Sequence, residues 1–275
     1  MASEGLQGHR ARKRFGQNFL HDRHWIERIA KAVNATEGDD IVEIGPGQAA
    51  LTRELIAGAG KVRAVEIDRD LAAWLKETFP ESLSLIEADA ITLDWTQVAK
   101  NDNLRVVGNL PYNISSPLLF KLLEAADHVK DQHFMLQKEV VDRMVAQHGS
   151  KTYGRLSVML QWRYRMQKLF DVPPGAFNPP PKVMSSVVRM IPKAKEEVPS
   201  VDFELFSSVV ANAFSQRRKT IRNALSALLS AEEIAACDVD PGARAEALPL
   251  DAFVRLAQKA EALGRKAVTP GTTVD

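Results

Sequence analysis

Cysteine is almost absent from this chain, which has only Cys237 among its 275 residues. A single thiol excludes a disulfide framework and a cysteine-rich metal site, and we predict no metal. Long apolar runs are missing too: no stretch approaches the ~20 apolar residues of a membrane-spanning helix, and residues 1–14 carry no apolar core of a signal peptide. These absences predict a cytoplasmic protein that does not associate with membranes.

An excess of charge of one sign is also absent, since the formal net charge is +1. The distribution is uneven, because residues 36–100 hold 13 acidic and 6 basic side chains whereas residues 151–195 hold 9 basic and 1 acidic. The first segment should repel phosphate and the second should attract it. Two further basic clusters lie at 10–14 and 217–222, and a solvated surface is the alternative interpretation of any one cluster. The predicted nucleic-acid contacts in these clusters are Arg12, Lys13, Arg14, Arg217, Arg218, Lys219 and Arg222.

Short apolar runs alternate with amphipathic stretches in the first half of the chain. The runs predict strands at 41–45, 62–67, 83–86, 104–108 and 133–136. Apolar residues at three- and four-residue spacing predict helices at 50–57, 69–78, 116–126 and 139–147. This alternation is typical of a doubly wound, Rossmann-like α/β fold, whose ligands bind at the carboxyl ends of mostly parallel strands.

The pattern changes after residue 154. A helix at 156–162 precedes two strands at 164–172 and 186–190, and the tight proline-rich loop between them predicts an antiparallel pair at one edge of the sheet. Beyond residue 200 only helices are predicted, at 203–229, 231–236 and 251–263. We therefore predict a catalytic α/β domain over 1–192, a linker over 193–200, an all-helical second domain over 201–265 and a disordered tail over 266–275.

A glycine loop follows the first predicted strand and opens a helix, as nucleotide-binding loops do. Gly45 and Gly47 are its glycines, within the sequence Val42-Glu43-Ile44-Gly45-Pro46-Gly47. Glu66 ends the second strand about twenty residues on, where an acidic residue typically binds ribose hydroxyls. Asp89 closes the third strand and could accept a hydrogen bond from an adenine amine. Together these strand ends predict a site for an adenosine-containing cofactor.

Two cofactors, NAD and S-adenosylmethionine, fit this pattern. A dinucleotide site cradles a pyrophosphate at the helix N-terminus, whereas S-adenosylmethionine has no phosphate and its sulfonium cation suits the acidic surroundings of Glu43, Glu66 and Asp68. The loop therefore favours S-adenosylmethionine. Glu43 could either contact the cofactor or support the loop. Asp68 rivals Glu66 as the ribose ligand, and the strand register favours Glu66.

The tetrapeptide Asn109-Leu110-Pro111-Tyr112 follows the fourth predicted strand. If the Asn109 side-chain oxygen and the Leu110 carbonyl accept hydrogen bonds from N6 of adenine, that nitrogen is fixed and drawn toward the tetrahedral geometry that attack requires. Pro111 stiffens the turn, and Tyr112 can stack on the base. The tetrapeptide thus predicts methylation of an adenine amine by in-line displacement, and a strand end followed by an ordinary turn is the alternative.

Several motifs together resemble the bacterial small-subunit ribosomal RNA adenine dimethyltransferase family, also called the kasugamycin-resistance dimethyltransferases. The match runs from about Arg12 to about Ala262. The motifs lie at 16–20, 42–47, 109–112, 177–183 with Ser185 and Ser186, and 217–223. The resemblance implies an enzyme that uses S-adenosylmethionine to add two methyls to each of two adjacent adenosines in the 3′-terminal hairpin loop of 16S RNA, within a nearly assembled small subunit.

The resemblance also assigns individual residues. Asn18 and Leu20 would line the cofactor pocket, so that residues 1–22 contribute to it. They would lie there beside Gly45, Glu66, Asp89 and Asn109. Phe177 would face the target base opposite Tyr112, and an aromatic residue that plugs the core is the alternative. Ala49 stands where the family usually has glycine, and Met184 stands where it often has aspartate.

Three other functions remain as alternatives. An adenine methyltransferase that acts on DNA or large-subunit RNA would use the same tetrapeptide, and the helical second domain with its arginine-rich start argues against it. A second alternative is an assembly factor that docks on the small subunit and whose methylation activity is secondary. An NAD-dependent oxidoreductase is disfavoured, because nothing near Asn109 offers an acid or base for hydride transfer. We expect the protein to be a monomer.

Overall fold

The computed structural model of the chain describes residues 6, 11–12, 16–99, 102–216 and 218–270. Contacts divide the chain into two compact units, one of Met1–Val141 with Arg165–Pro192 and the other of Asp142–Tyr164 with Lys193–Asp275. The segment 142–164 thus groups with the C-terminal helices, whereas we predicted that everything up to residue 192 belongs to the α/β domain. The boundaries of independently folding domains stay a prediction.

A seven-stranded sheet forms the first unit. The strands among the described residues are β1 (Phe19–Leu20), β2 (Ile41–Ile44), β3 (Val62–Glu66), β4 (Leu83–Glu87), β5 (Leu104–Asn109), β6 (Val129–Gln137), β7 (Tyr164–Val172), β8 (Phe177–Asn178) and β9 (Ser185–Pro192). The large sheet has the order β4-β3-β2-β5-β6-β9-β7, and β1 pairs with β8 separately. The five strands β4, β3, β2, β5 and β6 are parallel to their neighbours, and β9 is antiparallel to β6. The doubly wound sheet and the pairing of β7 with β9 at its edge confirm the prediction.

Strand β6 is longer than predicted, because three polar residues precede its apolar run. Of these, Asp131 and Gln132 are buried in the strand. The guanidinium of Arg105 compensates Asp131, with hydrogen bonds of 2.9 and 3.0 Å to its two oxygens, and a third bond of 2.7 Å reaches Asp39. Partial burial raises the pKa of Asp39, but hydrogen bonds from Thr36 and Arg105 outweigh it and lower that pKa to about 2. The network joins β5 and β6 at their amino ends.

Helices accompany the sheet strands up to residue 144. They are α1 (Arg23–Val33), α2 (Ala50–Ala59), α3 (Arg69–Thr78), α4 (Trp95–Val98), α5 (Ser115–Leu122) and α6 (Lys138–Met144). Aspartates begin three of them: the side chains of Asp22, Asp68 and Asp94 each accept a hydrogen bond from a backbone N–H in the first turn. Such caps satisfy N–H groups that have no partner within the helix. They fix where each helix starts after the preceding strand or segment.

The second unit is built from helices. These are α7 (Arg155–Arg163), α8 (Phe203–Ser215), α9 (Ile221–Ala224), α10 (Ala231–Ala235) and α11 (Leu250–Ala262). Trp162 of α7 lies 5.6 and 5.5 Å from the rings of Phe203 and Phe206, and Phe214 lies 5.5 Å from Phe253 of α11. This aromatic packing on α8 explains why the segment 142–164 belongs with the C-terminal helices.

One prediction about the C-terminal part is wrong. The helix predicted over 203–229 ends at Ser215, because the polar residues 216–220 break the apolar repeat before α9 begins. Within the tail predicted from residue 266, the Val268 carbonyl accepts hydrogen bonds from Ser208 Oγ at 2.8 Å and from Asn212 Nδ2 at 3.0 Å. Disorder of the tail stays a prediction. Residues 271–275 lie outside the described part.

In the part of the chain that the structure describes, no helix has the length and apolarity that crossing a bilayer requires. The same residues contain no group of three or more His, Cys, Asp or Glu side chains placed to hold a metal ion.

Candidate functional site

A cavity of about 380 Å³ opens at the carboxyl ends of β2, β3 and β5. The strand order reverses between β2 and β5, where doubly wound sheets bind their ligands. Ile44 of β2 lies opposite Gly108 of β5, so the loops that follow these strands face each other. The predicted cofactor residues that line the cavity are Asn18, Leu20, Gly45, Gly47, Glu66, Asp89 and Asn109.

The glycine loop adopts backbone conformations that glycine favours. Gly45 and Gly47 have φ values of 66° and 55°, in the left-handed region. A side chain at Gly47 would come within 3.1 Å of the Phe19 ring, so glycine allows the N-terminal segment to pack on the loop. Buried Ala49 is also left-handed, with φ of 62°, which costs an alanine about 1 kcal/mol. This strain is a physical reason to expect glycine at this position.

Glu66 ties the glycine loop to the end of β3. Its Oε1 accepts from the Asp68 N–H at 2.9 Å and its Oε2 from the Gly47 N–H at 3.3 Å. Burial raises the pKa of Glu66, and these backbone hydrogen bonds oppose the shift. A buried carboxylate at this strand end can accept hydrogen bonds from ligand hydroxyls.

Asp68, the predicted rival of Glu66, is not among the residues that line the cavity. It is fully buried, and its oxygens accept from Arg12 Nη1 at 3.0 Å, Gln17 Nε2 at 3.0 Å and the Asp70 N–H at 3.1 Å. Arg12 also pairs with the Asp70 carboxylate. Asp68 therefore anchors the N-terminal segment.

Arg12 makes ion pairs within the fold, and its predicted role as a nucleic-acid contact stays a prediction. Its guanidinium is used within the fold, because the N-terminal segment folds back along the cavity wall and two carboxylates neutralise it. Lys13 and Arg14, which we also predicted as nucleic-acid contacts, lie outside the described residues.

Replacing Arg12 by alanine should loosen the N-terminal wall of the cavity. Loss of the ion pair with buried Asp68 costs about 1.4 kcal/mol, so amide hydrogen exchange at residues 16–20 should accelerate about tenfold. The matched control is Arg69→Ala, since Arg69 is an exposed neighbour of the same two carboxylates. Equal exchange rates in the wild type and Arg12→Ala would show that the ion pair does not hold the segment.

Two buried titratable residues complete the cavity wall. Glu43 of β2 is 3% exposed, and its Oε2 has no hydrogen-bond partner among the described residues. Burial raises its pKa to about 7, the Thr52 hydroxyl opposes this shift, and the charge of Glu66 adds to it. His133 of β6 also lines the cavity, and burial lowers its pKa to about 4. We did not predict His133, although a histidine that opens an apolar strand run was the available signal.

The tetrapeptide places its polar groups at the cavity. Asn109 Nδ2 donates to the Asn18 carbonyl at 3.1 Å, which orients the amide so that Oδ1 remains as an acceptor. The Leu110 N–H donates to the Met135 carbonyl at 3.1 Å, which fixes the turn on β6. Tyr112 lines the same cavity, and its hydroxyl lies 2.8 Å from Ser185 Oγ. The groups that we predicted to bind the target base thus lie together at one wall of the cavity.

Phe177 packs in the core of the first unit, and its predicted place opposite Tyr112 at the target base stays a prediction. It is 3% exposed, belongs to the hydrophobic core and is not among the residues that line the cavity. The reason is the pairing of β8 with β1, which sets Phe177 opposite Leu20. Met184 has an exposed side chain, and nothing in the structure explains the residue at this position.

Part of the predicted basic surface is internal. Arg163 is buried and donates to the Lys193 carbonyl at 2.7 Å, while Lys193 Nζ donates to the Gln161 carbonyl at 2.6 Å. The remaining predicted contacts differ in position: Arg218, Lys219 and Arg222 are exposed in the second unit, and Arg217 lies outside the described residues.

Comparison with known proteins identifies relatives over most of the chain. The family described as ribosomal RNA adenine dimethylase matches residues 8–261. The ribosomal RNA small subunit methyltransferase A of Thiobacillus denitrificans is 57% identical over 241 residues, which cover 87% of this chain and 94% of that protein. The protein of the same name from Acinetobacter baylyi is 53% identical over 256 residues, 92% of this chain and 93% of that protein.

Solved structures share the fold. A dimethyladenosine transferase from Plasmodium falciparum superposes with a TM-score of 0.79 at 26% identity, over 91% of this chain and 100% of that chain. The 23S rRNA methyltransferase ErmE gives a TM-score of 0.69, also at 26% identity, over 89% and 100% of the two chains. These comparisons confirm the predicted Rossmann-like α/β fold and show it to be of the class I methyltransferase type. The extent of the family match and the identity to its members establish that this chain belongs to the ribosomal RNA adenine dimethylase family.

Proposed function

We propose that this enzyme dimethylates N6 of two adjacent adenosines in the 3′-terminal hairpin loop of 16S RNA, with S-adenosylmethionine as the methyl donor, late in small-subunit assembly. The observation that carries the proposal is one cavity that combines the Asn109–Tyr112 tetrapeptide with carboxylates at two strand ends. The family match and the names of the relatives support ribosomal RNA of the small subunit as the substrate.

The cavity residues fit S-adenosylmethionine. Glu66 and Asp89 offer carboxylate acceptors for ribose hydroxyls and for the adenine amine. Among the described residues that line the cavity there is no lysine or arginine, so the site suits a cation rather than a phosphate. When bound, S-adenosylmethionine supplies an electrophilic methyl group on a positively charged sulfur.

The chain contributes positioning rather than a nucleophile. Asn109 Oδ1 and the Leu110 carbonyl accept hydrogen bonds from the adenine N6, which keeps its lone pair available for attack on the methyl. Asn18 holds the Asn109 amide in this orientation. The N6 proton becomes acidic once the nitrogen is alkylated, so no side chain is needed as a general base.

Tyr112 provides the surface on which the target base stacks. Its hydroxyl is held by Ser185, which fixes the ring at the cavity wall. Because a base must leave its stack to enter such a cavity, the enzyme acts on loops or flipped nucleotides. A hairpin loop in the RNA satisfies this requirement at low cost. We propose that the enzyme acts as a monomer in the cytoplasm, on the small ribosomal subunit.

The exposed cluster Arg218, Lys219 and Arg222 should hold the RNA backbone. Replacing all three by alanine should weaken binding to small subunits and lower the slope of log affinity against log salt by about 2, since each phosphate contact contributes about 0.7. Filter binding at several salt concentrations measures the slope. The control replaces Arg265 and Lys266, two exposed cations of the same unit. If the triple variant has the wild-type slope, the cluster does not bind RNA and is an ordinary solvated surface.

One experiment tests the proposed substrate against its alternatives. The protein is incubated with labelled S-adenosylmethionine and, separately, unmethylated small subunits, naked RNA, large subunits and DNA, and the labelled nucleotides are mapped. We expect dimethyladenosine at two adjacent positions of the 16S RNA from small subunits. Label on DNA alone, or on large subunits alone, would overturn the proposal.

A further inference from the structure

Two exposed apolar side chains lie at the edge of the sheet where the cavity opens. Val183 and Met184, which we call the apolar tip, are 43% and 37% exposed and immediately precede β9. Strand β9 is antiparallel to β6, and its first residue, Ser185, pairs with Gln137, the last residue of β6. The apolar tip therefore lies at the carboxyl end of β6. Its exposure to water is unfavourable, so a partner that covers it gains affinity.

The apolar tip is joined directly to the wall of the cavity. Ser185 follows Met184 in the chain, and its hydroxyl lies 2.8 Å from that of Tyr112, which lines the cavity. Val187, two residues further along β9, lines the cavity itself. The Met184 carbonyl accepts from the Lys138 N–H at 2.9 Å, which fixes the tip beside the start of α6. Because nucleotides are bonded to their neighbours, a base that stacks on Tyr112 brings an adjacent base to the tip.

The surface around the apolar tip is positively charged, as an RNA contact requires. The chain from the start of β7 to the end of β9 holds four basic side chains and one acidic side chain. The acid, Asp171, is paired with Lys168 at 2.8 Å, and Lys182, which precedes the tip, is exposed. Lys138 and Glu139, at the start of α6, balance each other in charge. Such a surface attracts phosphates and positions an RNA backbone beside the tip.

We propose that the apolar tip packs against the base next to the adenosine that occupies the cavity. The inference rests on the proposed function, since it takes RNA as the substrate and Tyr112 as the residue that stacks on the target. When the target base leaves its stack, each neighbouring base has a face exposed to water. Apolar side chains such as methionine pack against bases that have lost their stacking partner, and the unbranched, flexible methionine adapts to the ring that it meets. The tip thus lowers the cost of taking the target out of the loop.

Methylation kinetics with unmethylated small subunits test the inference. Met184→Gln keeps the length of the side chain but makes it polar, so the Michaelis constant for small subunits should rise about tenfold. The turnover number and the affinity for S-adenosylmethionine should stay within about twofold of the wild type. Met184→Leu, which stays apolar, should keep the wild-type constant. The matched control is Ile191→Gln, because Ile191 is 36% exposed on the same strand, about 20 Å from Ser185.

The salt dependence of binding separates this contact from contacts with phosphates. An apolar contact releases no counterions, so Met184→Gln should weaken binding but keep the wild-type slope of log affinity against log salt. The triple variant of Arg218, Lys219 and Arg222 should lower that slope. Filter binding to small subunits measures both variants together. A lower slope in Met184→Gln would mean that the residue supports phosphate contacts, and the inference would be wrong.

A photo-crosslink identifies what covers the apolar tip. With p-benzoylphenylalanine in place of Met184, irradiation of the complex with small subunits should link the enzyme to a nucleotide next to one of the methylated adenosines. Melting temperatures of all variants control for folding. If Met184→Gln keeps the wild-type Michaelis constant, or if the crosslink fails to form or maps to a ribosomal protein, the inference is wrong and the proposed function stands. If the wild type does not methylate small subunits, both are wrong.

Discussion

Asn109→Ala is expected to lower methyl transfer about 1000-fold while the enzyme still binds its cofactor. The substitution removes Oδ1, one of two acceptors for the target amine, and the loss of one positioned hydrogen-bond partner of a transition state costs up to about that factor. It also removes the 3.1 Å bond to the Asn18 carbonyl. That neutral bond is worth about 1 kcal/mol, so cofactor affinity should fall no more than about fivefold. Single-turnover assays and calorimetry separate the two effects.

The matched control is Asn103→Ala. Asn103 precedes the same strand β5 at its opposite end, is exposed, and does not line the cavity. It undergoes the same chemical change without touching the site, and should retain wild-type turnover. If Asn109→Ala turns over near the wild-type rate, the proposed positioning of the adenine N6 by Asn109 is wrong, and the tetrapeptide serves only as a turn.

Glu66→Ala is expected to weaken cofactor binding about 100-fold. Its carboxylate would lose hydrogen bonds to the ribose, each worth about 1.5–3 kcal/mol for a charged acceptor. It would also release the Gly47 N–H, which it holds at 3.3 Å, and so loosen the glycine loop. With saturating cofactor, turnover should change much less than affinity, since Glu66 does not touch the target amine in the proposed mechanism. Calorimetry with S-adenosylmethionine measures the effect directly.

The neighbouring strand supplies the control for Glu66. Glu87 ends β4 in register with Glu66, but it is exposed, pairs with Lys76 and does not line the cavity. Glu87→Ala should therefore bind the cofactor as the wild type does. Equal affinity in the wild type and Glu66→Ala would move the ribose contact to Asp68, despite the bonds that already occupy the Asp68 carboxylate.

Much of the first unit is predictable because its signals are local. Strands β2 to β5 and helix α3 follow directly from apolar runs and their spacing, and β7 has the predicted bounds, 164–172. The errors arise where tertiary contacts outweigh the local pattern. By polarity alone Asp131 and Gln132 do not predict a buried strand, and Arg105, distant in sequence, compensates Asp131. The grouping of 142–164 depends on aromatic packing that no local pattern encodes.

The candidate site divides in the same way. The strand-end residues Glu66, Asp89 and Asn109 could be found from sequence, because a parallel sheet brings the carboxyl ends of its strands to one edge. The ion pair of Arg12 with Asp68 could not be found from sequence, because the charge of Arg12 is equally consistent with a phosphate contact. The burial of Phe177 could not be predicted either, because it depends on the pairing of two short strands far apart in the chain.

The pairing of β1 with β8 also sets a time at which the enzyme can first become active during its own synthesis. Phe19 and Leu20 leave the ribosome early, but their partners Phe177 and Asn178 are translated about 160 residues later. Until then the N-terminal wall of the cavity has no strand to dock on, and the Asn18 carbonyl has no fixed position from which to orient Asn109. A nascent chain can therefore complete β2 to β6 and still be unable to methylate RNA.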